Sequence, residues 1–516
     1  MTNDIKGLKA LFLLPGRFAP LAHAIARKLK DDYGVSRFSG LTYTRSSYNF
    51  LSSQKDIDYQ PLLTDAAIYK LSEDIELDRP LLAQFEEEYG APNLWPYVLI
   101  DRSLFVPSEG HPSYPVAGSR LSIEQLEKLL QAHFSAILGL LDEAKPDFIV
   151  GNSPGHMGTL ILAHVAKSRG IPTLFFGRTR LLNKVTFSYD PYENFDQIFQ
   201  SYADLKDDDR KSDFRQEAED FLHTFRSERL FYEGSRAQRI SSELQKMTLA
   251  REFATLFSQA KNTAHGMYGY FRGIRAEKPY PSGPLDLLRR FFVTAYRRFT
   301  LRNWNGFSAP VEGEVYFFYP LHVEPELSLL LLGQSYLDQI NVIQQVAKSL
   351  PISTKLYVKE HPSMFGLRPK SFYTRLLQIP NIRIIHARVD SHAMIRNARV
   401  VVTTTGTAGL EAILLGKPVI TLGDAFYSRI DLVHKAESLT ELPNLVAKIL
   451  SNKNHNGTDH DNNRIVDFVT AIFESSIDAD YASLWHAPGG FEAIWKHPHV
   501  NILARFVAEE MKISPK

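Results

Sequence analysis

Short apolar runs and amphipathic helical segments alternate in two stretches of this chain of 516 residues. Residues 400–404 are β-branched and typical of a buried strand, and the apolar spacing over 408–415 predicts a helix directly after it. Gly416-Lys417-Pro418 ends that helix, because glycine favours the position past a helix end and proline cannot continue it. Such alternation builds parallel sheets covered by helices. We therefore predict an α/β protein with two Rossmann-like domains that face each other across a cleft.

The segment between the two stretches has mixed charge and no strand pattern, which predicts a helical insertion. We place the first domain at residues 1–195, the insertion and linker at 196–310, and the second domain at 311–450. Residues 451–516 are expected to pack back across both domains. The length itself favours a division, because single hydrophobic cores stop growing at about 250–300 residues.

Composition excludes several classes of function. The 59 basic and 58 acidic residues nearly cancel, so no global field would recruit nucleic acid. The chain has no cysteine, which excludes disulfides, thiol catalysis and cysteinyl metal sites. The amino terminus lacks the apolar core of a signal peptide, and no apolar run reaches the roughly 18 residues of a spanning helix. We expect a cytoplasmic protein.

Polar side chains follow the predicted strands of the second domain at the point where each strand ends. Because the carboxyl ends of parallel strands share one edge of a sheet, these groups are expected to line a single crevice. The set comprises His322, Glu324 and Glu326; Lys359, Glu360, His361 and Pro362; His386 and Arg388; Thr405, Gly406 and Thr407; and Gly423. Within it, we interpret Glu360 as a solvated charge and leave the roles of His386 and Arg388 open.

The turn Thr405-Gly406-Thr407 between strand and helix has the chemistry of a phosphate cradle. Small residues leave main-chain N–H groups and hydroxyls free to face an anion, and the dipole of the following helix favours negative charge. The turn matches neither the G-x-G-x-x-G dinucleotide fingerprint nor the G-x-x-x-x-G-K-[ST] loop.

The first domain offers its own strand-end residues. Asn152 and His156 follow one strand, Arg178 and Arg180 follow the next, and Asp101 comes after another apolar run. We predict that Asp101 and His156 orient an acceptor in the cleft.

Two acidic clusters resemble metal sites only by residue type. We interpret Asp207-Asp208-Asp209 as a solvated charge run and Asp459-His460-Asp461 as part of a disordered polar loop. No metal and no cofactor is therefore expected.

Residues 287–304 combine arginines with aromatic side chains. Such a segment either lies on an anionic membrane surface or covers the hinge with arginines that reach out to solvent. The near-zero net charge of the chain favours the second interpretation.

Three motifs together resemble the capsule polysaccharide biosynthesis family over residues 314–430. They are Pro320-Leu321-His322-Val323-Glu324-Pro325-Glu326, Val358-Lys359-Glu360-His361-Pro362, and the segment from Thr405 to Ala412 with Gly416-Lys417-Pro418. The resemblance implies a GT-B-like architecture with a nucleotide-sugar donor in the second domain and a glycan or glycolipid acceptor on the first. It implies a metal-independent glycosyltransferase of bacterial capsule or lipopolysaccharide synthesis, with CMP-Kdo as the leading donor, because known members include β-Kdo transferases.

The same resemblance implies roles for individual residues. His361 would contact the donor phosphate beside Lys359, with Pro362 fixing the turn, while Thr405, Gly406 and Thr407 form the helix start that receives this phosphate and Glu411 reaches the ribose. The family's acidic stretch would supply a nucleophile or base. In this chain Pro325 and Glu326 stand where the family has two aspartates, which leaves Glu324 and Glu326 as the candidates.

Other functions fit the same residues. One alternative is a transferase that uses a UDP- or GDP-sugar, or a nucleotide-sugar epimerase of the same architecture. The other is a non-catalytic polysaccharide-binding or export-associated protein. All are compatible with a peripheral position at the inner face of the membrane.

Overall fold

The computed structural model describes residues 7–89, 93–102, 104, 121–152, 155–207, 211–228, 249–272, 283–451, 459–485 and 490–515. These ranges contain two seven-stranded sheets. Within them, no helix is both long enough and apolar enough to cross a membrane. The predicted α/β architecture with two Rossmann-like domains is confirmed.

Fourteen strands form the two sheets within the described ranges. In chain order they are β1 (Lys9–Leu14), β2 (Arg37–Thr42), β3 (Tyr59–Thr64), β4 (Phe148–Asn152), β5 (Thr173–Arg178), β6 (Lys184–Ser188), β7 (Phe307–Ser308), β8 (Tyr316–Pro320), β9 (Lys355–Lys359), β10 (Ile382–Ile385), β11 (Val400–Thr403), β12 (Val419–Thr421), β13 (Val433–Lys435) and β14 (Ile477–Asp478).

The first sheet has the order β14-β6-β5-β4-β1-β2-β3. β1 is parallel to both β2 and β4, whereas β6 is antiparallel to β5 and β14. The helices of this domain are Ala19–Tyr33, Arg45–Ser52, Asp65–Asp74, Arg79–Tyr89, Trp95–Leu99, Ile123–Ala144 and Met157–Ser168. The longest begins with a capping box in which the Ser122 hydroxyl accepts from the N–H of Gln125 and the Gln125 side chain accepts from the N–H of Ser122.

The second sheet has the order β13-β12-β11-β8-β9-β10-β7, and every pair in it is parallel. The chain runs from β8 outward through β9 and β10, then returns to the other side of β8 with β11. Strand order therefore reverses between β8 and β11, the position where open α/β sheets bind ligands. The helices of this domain are Leu327–Leu332, Gln339–Lys348, Lys370–Leu377, Ser391–Asn397, Thr407–Leu414 and Leu442–Ser451.

The remaining helices lie between the two domains in the chain or follow the second domain. They are Asp196–Asp207, Arg215–Glu228, Leu249–Phe271, Pro284–Arg302, Asp459–Glu474, Tyr481–Leu484, Gly490–Trp495 and Pro498–Glu510. The first two of them and Asp459–Glu474 share a hydrophobic core with one face of the second sheet. Farther on, β14 and Pro498–Glu510 belong to the first domain, where that last helix packs on Ala19–Tyr33.

Two details differ from the predictions. β7 starts at Phe307, so the second sheet begins before the expected boundary at residue 310. The disordered polar loop expected around Asp461 is wrong, because a helix starts at Asp459 and the Asp461 carboxylate lies 3.9 Å from Arg464 one turn later. Asp208 and Asp209 lie outside the described residues.

Candidate functional site

The carboxyl ends of β8 and β11 bring His322 next to residues 403–406. The imidazole of His322 is buried, and its Nε2 accepts the main-chain N–H of Thr404 at 3.2 Å and lies 3.3 Å from the Thr403 hydroxyl. Burial, with Arg368 and His361 nearby, lowers the pKa of His322 to about 3. A neutral imidazole that accepts at Nε2 carries its proton on Nδ1.

The ring edge of His322 that carries Cε1 and Nδ1 lies against Gly406. A Cβ atom at position 406 would lie 3.6 Å from that Nδ1, 3.0 Å from the neighbouring ring carbon and 2.7 Å from the Thr403 hydroxyl. Any side chain there would crowd the start of the helix Thr407–Leu414, so glycine keeps this approach open.

The hydroxyl of Thr405 is buried and has no hydrogen-bond partner within the described ranges, although its side chain is 9% exposed. A buried polar atom left unpaired costs free energy unless a ligand or water completes it. Beside it, the N–H of Gly406 is engaged by the Thr403 hydroxyl at 3.0 Å, and the helix begins at Thr407. A helix start next to an unsatisfied donor fits a bound anion.

His361 lies at the end of the neighbouring strand β9. Its Nδ1 accepts the N–H of Ser363 at 3.2 Å, which starts the short helical turn at Pro362. Burial, with help from Lys359 and Arg368, lowers the pKa of this imidazole to about 4. His361 is therefore neutral at physiological pH and carries its proton on Nε2, as a hydrogen-bond donor.

Lys359 is buried beneath these groups. Its Nζ donates to the carbonyls of Glu360 at 3.3 Å and Ala387 at 3.2 Å. Burial lowers the pKa of this ammonium to about 8, against the opposing charges of Glu360, Asp390 and the half-buried Glu411. The ammonium of Lys359 and the carboxylate of Glu411 therefore interact electrostatically at the same edge of the second sheet.

The interpretation of Glu360 as a solvated charge is wrong. Its side chain is fully buried, forms an ion pair with Arg368 and accepts from the Tyr373 hydroxyl at 2.5 Å. Arg368 also donates to Glu324 Oε2 from Nη2 at 2.9 Å and from Nε at 3.2 Å. The carboxylate of Glu324 is thus engaged inside the second domain.

Glu326 is placed differently, at the start of the helix Leu327–Leu332. Burial raises the pKa of its carboxyl group, and the guanidinium groups of Arg180 and Arg102 oppose this rise. Both arginines belong to the first domain, so Glu326 faces that domain across the cleft. The same helix inserts Leu331 and Leu332 into the first domain's hydrophobic core.

The first domain brings Asp101 and His156 together, with Nδ1 of His156 3.7 Å from Oδ2 of Asp101. Their role in orienting an acceptor stays a prediction. Asn152 is held by the hydroxyl of Tyr481 at 3.2 Å, and His386 packs between Phe307 and Phe365. Asn152 and His386, two of the polar residues predicted at strand ends, are therefore held by contacts within the protein.

Two features were missed by sequence reasoning. Arg368 lies six residues past Pro362, outside every strand-end motif, and only its burial reveals it. His322 stood in a quoted motif without a role, although its position after the first strand of the domain was a usable signal.

The fold defines a protein of two Rossmann-like domains, and the second domain places Thr405 and the helix start at Thr407 where its strand order reverses. Residues 308–439 match the family of capsule polysaccharide biosynthesis proteins, which confirms the predicted resemblance. The resemblance to that family thus extends over residues 308–439, about a quarter of the chain.

A curated relative matches the same kind of segment. Protein FixF of Sinorhizobium fredii (strain NBRC 101917 / NGR234) is 33% identical over 134 residues, which are 25% of this chain and 31% of FixF. The match thus spans about a third of the length of that relative.

Solved structures resemble the chain at low identity. The Thermosulfurimonas dismutans KpsC, beta Kdo 2,4 transferase, aligns with a TM-score of 0.35 and 11% identity over 69% of this chain and 87% of its own. A UDP-GlcNAc 2-epimerase from Neisseria meningitidis aligns with a TM-score of 0.24 and 12% identity over 91% of this chain and 99% of its own. Both TM-scores lie below 0.5, so the resemblance to the capsule polysaccharide biosynthesis family rests on the match at residues 308–439.

Proposed function

We propose that this protein is a glycosyltransferase of bacterial capsule or lipopolysaccharide synthesis that transfers a sugar from a nucleotide-activated donor. The observation that carries the proposal is the buried hydroxyl of Thr405, which has no hydrogen-bond partner among the described residues. It lies beside a helix start, where the strand order of the second sheet reverses. A phosphate oxygen would complete that hydroxyl. The family match over residues 308–439 supports the biosynthetic setting.

The chemistry of the surrounding groups suits a departing phosphate. His322 and His361 are neutral N–H donors, and Lys359 adds a positive charge from a buried position. Preorganised donors in a site that excludes water stabilise developing negative charge more than water does. We assign donor binding to these groups together with Pro362, Gly406, Thr407 and Glu411.

Glu326 is the carboxylate we assign to the reacting carbon, as nucleophile or base. Its rival Glu324 is engaged by Arg368 in two hydrogen bonds. Glu326 instead lies at the start of the helix Leu327–Leu332, where Arg180 and Arg102 favour its charged form against the effect of burial. We assign Asp101 to the acceptor side of the cleft.

CMP-Kdo is the leading donor, since the motifs of the second domain resemble those of β-Kdo transferases. The test is thermal unfolding of the full chain with CMP, CDP, UDP and GDP, because a ligand that binds only the folded state raises the melting temperature. We expect a selective shift with CMP that is lost in His361→Ala and kept in His223→Ala, which changes an exposed imidazole on the helix Arg215–Glu228.

Each other outcome overturns part of the proposal. A shift with UDP or GDP alone would exclude CMP-Kdo as the donor and favour a transferase that uses a UDP- or GDP-sugar, or the epimerase. No shift with any nucleotide overturns the transferase and favours the non-catalytic polysaccharide-binding or export-associated protein.

We also propose that the helix Pro284–Arg302 rests on an anionic membrane surface, at the inner face of the membrane. Phe292, Tyr296 and Phe299 are between 64% and 79% exposed, and their spacing of four and three residues puts them on one face. The helix carries five arginines against one aspartate. Exposed aromatic rings beside basic side chains suit the boundary of an anionic bilayer.

A further inference from the structure

Four chemically active side chains meet at the carboxyl edge of the first sheet. Tyr43 follows β2, Asp65 follows β3 and His156 lies shortly after β4. Asp101 joins them from the turn past the helix Trp95–Leu99. The donor site of the second domain uses none of these groups, so their grouping calls for its own explanation.

The imidazole of His156 is held between an aromatic ring and a buried carboxylate. It stacks on Tyr43 with ring centroids 4.3 Å apart, and its Nδ1 lies 3.7 Å from Oδ2 of Asp101. This carboxylate is fully buried and accepts from the Tyr69 hydroxyl at 3.1 Å and the main-chain N–H of Met157 at 3.4 Å. A fixed carboxylate facing Nδ1 keeps the proton of the neutral imidazole there, which leaves Nε2 as the proton acceptor.

Charged groups from several elements act on this imidazole. Burial lowers the pKa of His156, and the charge of Arg102 lowers it further. Asp101 and then Asp65 raise this pKa by more, so it lies above its usual value. Burial also raises the pKa of Asp65 to about 7. Behind Asp65 lies His133, whose imidazole is neutral because burial lowers its pKa to about 4. Asp101 is therefore the strongest partner of His156.

His156 opens on the cleft beside the second domain. Its side chain is 36% exposed, in contrast to the buried Asp101. A methyl group added at the adjacent Gly155 would lie 3.9 Å from Leu327, the residue after Glu326. Arg102 acts electrostatically on both His156 and Glu326. The imidazole thus stands near the point where donor and acceptor must meet.

We propose that His156 accepts the proton of the acceptor hydroxyl, with Asp101 as the positioning residue that stabilises the imidazolium. This assignment rests on the proposed transferase function. The acceptor oxygen bonds to the anomeric carbon of the sugar as the bond from that carbon to its leaving oxygen breaks. The leaving oxygen, of the donor phosphate or of a glycosyl-enzyme carboxylate, keeps the electron pair, and the hydroxyl proton moves to Nε2 of His156.

The test compares the wild-type chain with His156→Gln and with a surface control, His223→Gln. Nucleotide release is measured from CMP-Kdo, UDP-glucose and GDP-mannose with a panel of free sugars as acceptors. We expect kcat of His156→Gln to fall by about 10²–10⁴-fold, the usual contribution of a general base, with donor KM and the nucleotide thermal shift unchanged. The control should release nucleotide at the wild-type rate.

The pH profile separates a proton acceptor from a structural imidazole. Wild-type kcat/KM should rise with pH along an acid limb as His156 loses its proton, and this limb should vanish in His156→Gln. Asp101→Asn removes the charge that raises the pKa of His156, so its limb should move to lower pH. This second variant keeps the test decisive if His156→Gln fails to fold.

Two results would overturn the assignment in distinguishable ways. Wild-type kcat and an unmoved acid limb in both variants would reject His156 and leave the transferase standing. No nucleotide release by the wild type from any of the three donors would reject the transferase and this assignment with it.

Discussion

Arg368 donates to Oε2 of Glu324 through both Nη2, at 2.9 Å, and Nε, at 3.2 Å, and the same guanidinium pairs with Glu360. Glu324 follows β8 and Glu360 follows β9, so one buried cation joins two neighbouring strand ends. Tyr373 supplies a further hydrogen bond to Glu360. One buried network of charged side chains therefore holds in place the turns that carry His322 and His361.

Replacing Arg368 by methionine should destabilise the second domain strongly. The change leaves two buried carboxylates without their cation, and removing one partner from a buried ion pair costs about 3–5 kcal/mol. Urea unfolding of the full chain measures the loss.

Arg383→Met is the matched control for this change. Arg383 also pairs with a glutamate through two hydrogen bonds, to Glu314 at 2.6 and 2.9 Å, but its side chain is 34% exposed. Exposed pairs contribute roughly 0–1 kcal/mol, so the control should lose little. Equal losses in the two variants would refute the structural role of the buried network.

Much of the second domain could be predicted from its sequence. β11 coincides with its predicted strand to within one residue, because strands buried on both faces read as continuous apolar runs. β2 and β3 were missed, since their sequences RFSGLT and YQPLLT contain polar residues and a proline. The antiparallel β6 was missed as well, because the pattern of alternating strands and helices does not predict a hairpin.

The candidate site was only partly predictable. Local chemistry marked Thr405 and His361, because a small-residue turn before a helix can receive an anion and a histidine after the neighbouring strand can reach it. The burial of Glu360 depends on its ion pair with Arg368, eight residues later. The sequence around a strand-end carboxylate does not show whether that group is solvated or paired. Likewise, Asp101 and His156 lie far apart in the chain, and only the fold brings them to 3.7 Å.

Thr405→Val should separate ligand binding from stability. Valine keeps the shape and removes a buried hydroxyl that has no partner in the described part of the chain, so the free protein should be as stable as the wild type or more so. Binding of the stabilising nucleotide should weaken by about 10–100-fold, since a hydrogen bond to a charged group contributes about 1.5–3 kcal/mol. Calorimetric titration and thermal unfolding measure the two effects.

Thr159→Val provides the control for this variant. Thr159 also has a buried hydroxyl without a partner in the described ranges, but it lies on the helix Met157–Ser168 of the first domain. Stability should respond as in Thr405→Val while nucleotide affinity stays unchanged. Undiminished affinity in Thr405→Val would exclude this hydroxyl from the donor site.

The neutral state of His322 predicts how stability depends on pH. The folded pKa is about 3 and the unfolded value is about 6.5, so between these pH values the unfolded chain binds more protons. Stability contributed by this group is therefore present above the unfolded pKa and is lost as pH falls towards 3.

His322→Gln keeps an acceptor for the N–H of Thr404 but cannot take up the proton. The slope of unfolding free energy against pH between 4 and 6 should decrease by about 1.4 kcal/mol per pH unit, the value for one proton. Urea unfolding at pH 4, 5 and 6 gives the slope. An unchanged slope would mean that the imidazole of His322 is protonated in the folded state.

The aromatic face of the helix Pro284–Arg302 predicts binding to anionic lipid. Phe292→Ser combined with Phe299→Ser removes two rings that are 64% and 79% exposed, so folding should change little while membrane affinity drops. Flotation with vesicles of phosphatidylcholine and 30% phosphatidylglycerol, compared with phosphatidylcholine alone, measures binding. About 0.5 M salt should release the wild-type protein, because screening shortens the reach of the arginine charges to a few ångströms.

A matched double substitution distinguishes binding through this aromatic face from nonspecific hydrophobic adsorption to the vesicles. Leu377 and Tyr189 are also large and exposed but lie outside this helix, so Leu377→Ser with Tyr189→Ser should float like the wild type. If neither double variant alters flotation, the helix does not contact lipid through its aromatic face. If the wild type binds both vesicle types equally, its arginines do not contribute to binding. A salt-sensitive loss confined to the Phe292 and Phe299 variant would instead link charge and rings to one surface, because neither alone anchors a helix firmly to a bilayer.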